Sequence, residues 1–423
     1  MICMRLLALT ATAGLVAAAS VAPAQAQVDL FSPQTVSGLV DLRVAAANGE
    51  NSWTDGGYGK SRYSGNDDGT FKITPQIAEA ALVWQPRFTW DLGAVVDLQA
   101  QPGQNQAVDA VEAYLAFKPT PTSNWRYSAR AGLFYPPISM EHTDTAWGVE
   151  HTITPSAINS WVGEEVKVVG FEHKLAYDFG GQQLAATVAA FGFNDTAGTL
   201  LSLRGWALHD LKTTAFGDFP LPKLLPQYSK IWRGQARDTE GTRELDGRIG
   251  FYGRLDWRTD GPAAFNVFYY DNAGNRTAET NGQWAWETKF WNVGASYDID
   301  PRTQLLAQAL TGETYEGFPT PQGIWIDVSF YSAYVLATHS FGDWSMTGRV
   351  DWFETRDHTF IVRDNNNEWG WAYTAAFRYD ITPKIAWLNE LLYITSDRYA
   401  REYLGEDDDQ SGVTLQSSLR VKF

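Results

Sequence analysis

The 423-residue chain is 19% charged and 14% aromatic, with a formal net charge of −16. So large an aromatic share must be buried in a core, an interface or a lipid-facing belt, which excludes a disordered chain. No stretch beyond residue 26 approaches the ~18 uninterrupted apolar residues of a membrane helix, and 33 basic against 49 acidic residues leave no basic footprint for nucleic acid.

The N-terminus reads as an export signal. Met1–Arg5 carries one positive side chain, Leu6–Ala19 is largely apolar, and Ala24-Gln25-Ala26 is a small-x-small site, so cleavage is expected after Ala26. The single cysteine, Cys3, lies in the removed part. The mature chain 27–423 then has no disulfide and no thiolate metal site.

From residue 36 onward, period-2 stretches recur almost to the end, separated by turn signals. Sixteen are expected: 36–47, 72–84, 88–101, 106–118, 124–135, 165–178, 182–194, 246–259, 262–273, 284–299, 302–314, 324–341, 343–355, 367–380, 384–396 and 410–423. Two are irregular: 182–194 is apolar on both faces, and 384–396 sets Glu390 among apolar residues. Short connections such as Gln85-Pro86-Arg87, Gly180-Gly181, Asp300-Pro301 and Thr382-Pro383 alternate with long polar ones at 48–71, 136–164, 195–245, 274–283, 315–323, 356–366 and 397–409. Only Pro102–Asn105 breaks the rhythm.

Alternating short and long connections are what a membrane barrel needs, with tight periplasmic turns and long outer loops. Strands with one apolar and one charged face can sit in lipid only if the sheet closes. Trp84, Trp90, Trp125, Tyr135, Trp257, Trp344, Trp352, Trp369 and Trp387 lie near strand ends, where interfacial girdles belong. The expected fold is all-β: a transmembrane antiparallel barrel of sixteen strands, both termini periplasmic, in the bacterial outer membrane. A secreted soluble β protein is the competing reading, disfavoured by the many charges on the polar faces. The first strand starts about ten residues after the cleavage site, which leaves no room for a separate plug domain.

Two segments resemble known families. The ending Leu415, Leu419, Val421, Phe423 is similar to the terminal strand of bacterial outer-membrane barrels, and the resemblance implies that Phe423 is read by the barrel assembly machinery. The stretch Gly132–Glu165, with Gly132-Leu133-Phe134-Tyr135-Pro136-Pro137 and then Glu141-His142, resembles the region after the fifth strand in porins of the phosphate-selective O and P superfamily and in alphaproteobacterial porins. Likeness to general porins implies a third outer loop folded into the lumen as a constriction, and a homotrimer.

That loop holds Glu141, Asp144, Glu150 and Glu164 and no Lys or Arg from 136 to 164. Lumen-facing strand positions supply Arg43, Arg126, Arg130, Arg248, Arg254, Arg258, Arg349, Arg378 and Arg420 as a basic wall. Acids facing such a wall across water would bias ion passage; acids merely hydrated at the outer surface are the plainer reading. Phosphate selectivity is not implied, because the loop lacks the expected cations. A general or weakly cation-preferring pore is expected, and neutralising Glu141, Asp144 and Glu150 together should lower that preference.

The loop 195–245 is long for a segment without structure of its own. Leu200–Phe216 has the makings of a short helix; beyond it lie Lys223, Lys230, Arg233, Arg237 and Arg243 around Tyr228 and Trp232. Such a loop suits lipopolysaccharide phosphates, a lumen plug or another subunit, and a mixed-charge surface loop is at least as good a reading. The six histidines are scattered without a metal-binding spacing, and Asp407-Asp408-Asp409 reads as a solvated charge run. No cofactor, metal or catalytic residue is expected. The function expected is passive diffusion of small hydrophilic solutes or ions. The alternatives are a plugged, non-conducting barrel with a binding or structural role, and an outer-membrane lipid hydrolase.

Overall fold

The computed structural model describes residues 28–223, 234–359 and 364–423. The segment expected to be an export signal, its expected cleavage site and Tyr228, Lys230, Trp232 and Arg233 lie outside them.

Sixteen antiparallel strands close into one barrel. They are β1 Val36–Ala47, β2 Lys72–Trp84, β3 Leu92–Ala100, β4 Asp109–Phe117, β5 Trp125–Phe134, β6 Val168–Phe179, β7 Gln182–Gly192 and β8 Gly250–Arg258, followed by β9 Ala263–Asp271, β10 Glu287–Asp300, β11 Thr303–Thr320, β12 Gly323–Ser340, β13 Trp344–Asp357, β14 Glu368–Thr382, β15 Ile385–Arg398 and β16 Asp409–Lys422. Every stretch expected from the alternation is a strand, and each strand pairs with its neighbour in sequence. β1 and β16 seal the cylinder from Leu39↔Lys422 to Ala47↔Thr414. Closure satisfies the backbone groups that lipid could not. Among the described residues two short α-helices stand outside the wall: α1, Ala157–Val162, and α2, Thr199–Leu203.

The outward face carries the exposed apolar residues, among them Leu42, Val44, Leu255, Trp291, Val335, Trp371 and Leu391. Trp90, Trp125, Trp257, Trp369 and Trp387 are exposed near strand ends, as a girdle requires. Tyr135 is not part of it. The chain turns inward after Phe134, and the Tyr135 hydroxyl, fully buried, donates to the carbonyls of Glu164 and Thr213. Nor is 315–323 a long polar connection: β11 and β12 run on past a bulge near Glu316 to a tight turn at 321–322.

Phe423 pairs with Gly38 across the seam through both backbone hydrogen bonds, at 3.1 and 3.2 Å. Its ring lies where a Cβ on Gly38 would stand, so only glycine fits there. The ring is half exposed at the periplasmic rim.

Candidate functional site

About sixteen strands enclose a lumen too wide for strand side chains alone to fill. Here the outer loops fill it. Every one of the sixteen strands presents at least one lumen-facing side chain that is buried, from Asp41 on β1 through Glu112 on β4, Tyr252 on β8 and Gln308 on β11 to Ser418 on β16.

The loop 136–164 spans the lumen from β5 to the wall formed by β13–β16. Ser156 caps α1 by accepting from the Asn159 amide at 3.2 Å, and all six residues of α1 are buried. Arg349 on β13 is the loop's main anchor. Its guanidinium meets the carboxylates of Glu141 at 3.0 Å and Asp351 at 2.8 Å, and donates to the carbonyls of Thr154 and Pro155 at 2.8 and 3.0 Å. Glu390 on β15 accepts from the amides of Ile153 and Thr154 at 2.6 and 3.0 Å. Arg420 donates to the Val149 carbonyl at 2.7 Å, Arg378 to that of Glu150 at 3.0 Å, and Arg254 to that of Pro137. Lys422 pairs with Asp144.

Above this loop lies the segment 195–223, with the first outer loop 48–71 against it. Arg398 holds the C-terminal carbonyls of α2, Ser202 and Leu203, at 3.0 Å each. Trp206 donates to the Glu354 carbonyl at 3.1 Å. Leu200, Leu203, Ala207, Leu211 and Trp53 form one buried apolar cluster with Ile326 and Val328 of β12. The loops are clasped at Glu165, which takes Arg204 and His209, both at 2.7 Å, while Asp210 takes Arg43 at 2.7 Å and Arg62 at 2.6 Å. Burial pushes the Glu165 carboxyl up, but Arg204 and His209 outweigh it and hold it below its ordinary value.

The acids and arginines picked out by sequence are therefore brought together, but in contact and not across water. Glu141 and Glu164 are buried, the latter 2.8 Å from the His142 ring; Asp144 is partly covered, and only Glu150 is exposed. Arg43 pairs with Asp41 at 2.6 Å as well as with Asp210, and Arg420 also reaches Asp41 at 3.4 Å. Arg130 pairs with Glu172 at 2.8 Å, Arg254 with Asp256 at 2.6 Å, Arg378 with Asp380 at 2.8 Å and Arg126 with Asp178. Arg258 is exposed in the periplasmic half of the lumen. Arg248 precedes β8 and donates to the Ala273 carbonyl at the outer rim at 3.3 Å, so it is no part of the wall. Alternation could not separate these cases, because it gives the face of a residue and not what covers it.

Two features of the lumen have no signal in the sequence alternation. One row of wall positions across β8–β12 is aromatic except at Gly312 of β11: Tyr252, Tyr270, Phe290 and Phe330, with Trp161 packed on Phe290 and Phe330 and Trp206 on Phe330. Ser139, His142 and Glu164 also form a relay, with the serine hydroxyl 2.7 Å from Nδ1 and the carboxylate 2.8 Å from Nε2. It does not make a nucleophile. The amides of Glu141 and His142 both donate to that hydroxyl oxygen, at 3.2 and 3.3 Å, as in a serine-capped turn.

Residues 234–423 match the family model described as putative beta-barrel porin-2, OmpL-like. No curated protein matches the chain in sequence. Among solved structures, the outer-membrane channel DcaP of Acinetobacter baumannii is 13% identical and superposes over 93% of this chain and 99% of its own, with a TM-score of 0.53. A loop L8 deletion mutant of OmpT, an outer membrane protein of Vibrio cholerae, is 10% identical over 92% and 99%, with a TM-score of 0.51. An anion-selective porin from Comamonas acidovorans is 11% identical over 92% and 99%, with a TM-score of 0.50. The chain is a porin-like outer-membrane β-barrel in fold, and its C-terminal 190 residues carry the OmpL-like porin signature.

Proposed function

We infer that the protein is a diffusion channel of the bacterial outer membrane for small hydrophilic solutes, held shut in this conformation by its own loops. One observation carries the reading: a sixteen-strand barrel is wide enough to conduct, and among the described residues only loop segments occupy its lumen. Loops that are not part of the wall can leave without opening the sheet. An outer-membrane channel and an anion-selective porin share the fold, and resemblance to general porins favours a homotrimer. The arc β1–β4 is the natural contact face. Its outward positions, such as Leu42, Val44, Ile77, Leu82 and Leu115, are mostly aliphatic, whereas β5–β15 display the exposed Trp and Tyr of a lipid interface.

The test is planar-bilayer conductance of refolded protein, intact and with 199–221 replaced by a short Gly-Ser linker. The intact channel is expected to show brief openings, and the deletion to give larger, longer ones. Silence from both folded proteins would sink the reading. A second reading, a permanently plugged barrel serving envelope structure, is favoured by the apolar packing of α1 and α2. It predicts an intact protein that never conducts and a deletion that does.

A further inference from the structure

The lumen wall on β8–β12 is built like a ligand site already filled from within. Cross-strand register stacks three rows there. Tyr252, Tyr270, Phe290, Gly312 and Phe330 form the outermost; Phe268, Asn292 and Leu310 come next; Asn266, Gly294, Gln308 and Tyr334 form the third. Ring faces thus lie directly above amide groups. Two glycines hollow the surface: a Cβ on Gly312 would come within 2.5 Å of Phe290 and Phe330, and one on Gly294 within 2.5 Å of the Met140 sulfur.

The loop 136–164 sits in that hollow. Trp161 of α1 packs on Phe290 and Phe330, with ring centroids 5.1 and 5.0 Å apart, and Asn159 donates to Gln308 at 2.8 Å. The fit is polar-incomplete. Trp161 Nε1, Asn159 Oδ1, Asn292 Nδ2 and Asn266 Oδ1 are all buried without a hydrogen-bond partner. Buried donors and acceptors are almost always satisfied in native proteins, and each orphan is costly. Here complementary orphans, a donor on Asn292 and an acceptor on Asn266, line the same patch.

We propose that this patch is the channel's solute site and that its solutes are neutral oligosaccharides, with Trp161 and Asn159 standing in for them in the closed state. Aromatic faces take the apolar face of a sugar ring, and amides pair with its hydroxyls. A purely apolar solute would leave the amides unmet, and an anion would gain nothing from the negative faces of the rings. The inference rests on the diffusion-channel reading. Entry of the sugar displaces the side chains of Trp161 and Asn159 while Arg349 and Glu390 keep hold of the loop, so sugar and Trp161 compete.

The test uses maltotriose as probe, on wild type and Trp161→Ala, Asn159→Ala, Asn292→Ala and Phe290→Ala. Calorimetric binding to the refolded trimer or monomer in detergent needs no conductance, so it separates this proposal from the channel reading. Trp161→Ala or Asn159→Ala should bind maltotriose at least tenfold tighter than wild type. Asn292→Ala in the Trp161→Ala background should lose at least tenfold of that gain. In bilayers, maltotriose should block the ion current of Trp161→Ala at lower concentration than that of wild type. Folded Trp161→Ala and Asn159→Ala that both bind no sugar would overturn the proposal even if they conduct. So would binding of indole, an apolar aromatic probe, that maltotriose does not displace. A channel that binds maltotriose but never conducts would keep the site and remove the channel.

Discussion

The two segments that close the lumen are held by different physics. The loop 136–164 is fixed by charge-assisted bonds to the wall, through Arg349, Glu390, Arg378, Arg420 and Lys422. The segment 195–223 has ionic contacts too, at Asp210, Lys212 and Arg204, but α2 buries Leu200, Leu201 and Leu203 against apolar neighbours. Directional bonds fix the position of the lower loop and are costly to break singly. Apolar contacts are not directional, and the charged support of α2 itself is Arg398 on its C-terminal carbonyls. The lower loop is thus built as a crossbar tied to the wall at many charged points, with α1 seated among apolar wall residues, and the upper segment as a cover held more by apolar packing.

The comparison can be broken most severely at Arg349. Arg349→Met strands Glu141 and Asp351 as uncompensated buried carboxylates, a change that costs about 3–5 kcal/mol. Urea unfolding followed by tryptophan fluorescence should show a loss of that size, and a change below about 1 kcal/mol would contradict the crossbar role. Leu201→Ala comes next. Removing a fully buried leucine costs about 2–5 kcal/mol, but the loss should appear as local opening. Hydrogen exchange should rise across 199–213 while 141–160 stays protected; equal loss in both would mean that the two segments are one unit.

A third, smaller effect concerns pH at the clasp. The Glu165 carboxyl is held below 4.5, so its contribution is present above pH 4.5 and is lost only as pH falls through the lowered folded value. Asp210 behaves alike: burial pushes it up, but Arg43 and Arg62 outweigh that and hold it far below 3.8. Protease sensitivity of 195–223 should therefore stay flat from pH 7 down to about pH 4 and rise only below it. A rise near pH 6 would point to other groups. The smallest effect is at Glu150, exposed and accepting only from Thr143 at 2.8 Å. Glu150→Gln should change stability by less than about 0.5 kcal/mol, yet shift the reversal potential more than Asp144→Asn, because Asp144 is already neutralised by Lys422.

Much of the barrel was legible in the chain because a strand wall obeys a period of two. One inside and one outside position alternate, and turn residues punctuate the run. The strand count and order follow from local signals alone. The irregular segments were legible as irregular but not as plug-docking sites. In 182–194 both faces are apolar because Ala189 and Phe191 face the packed lumen while Leu184 and Val188 face lipid. Glu390 sits among apolar residues because it takes the amides of Ile153 and Thr154, 236 or more residues away in sequence.

What the sequence determined by itself is the wall: β-strands, closure, apolar exterior and the charge-bearing loop after β5. What only the tertiary structure decided is the state of the lumen. Whether Glu141 faces water or Arg349, and whether Trp161 is free or set on Phe290, depends on where a loop lands across the barrel. No periodicity records that, because contacts between distant segments are selected by shape and charge at the site of landing and not by local backbone preference.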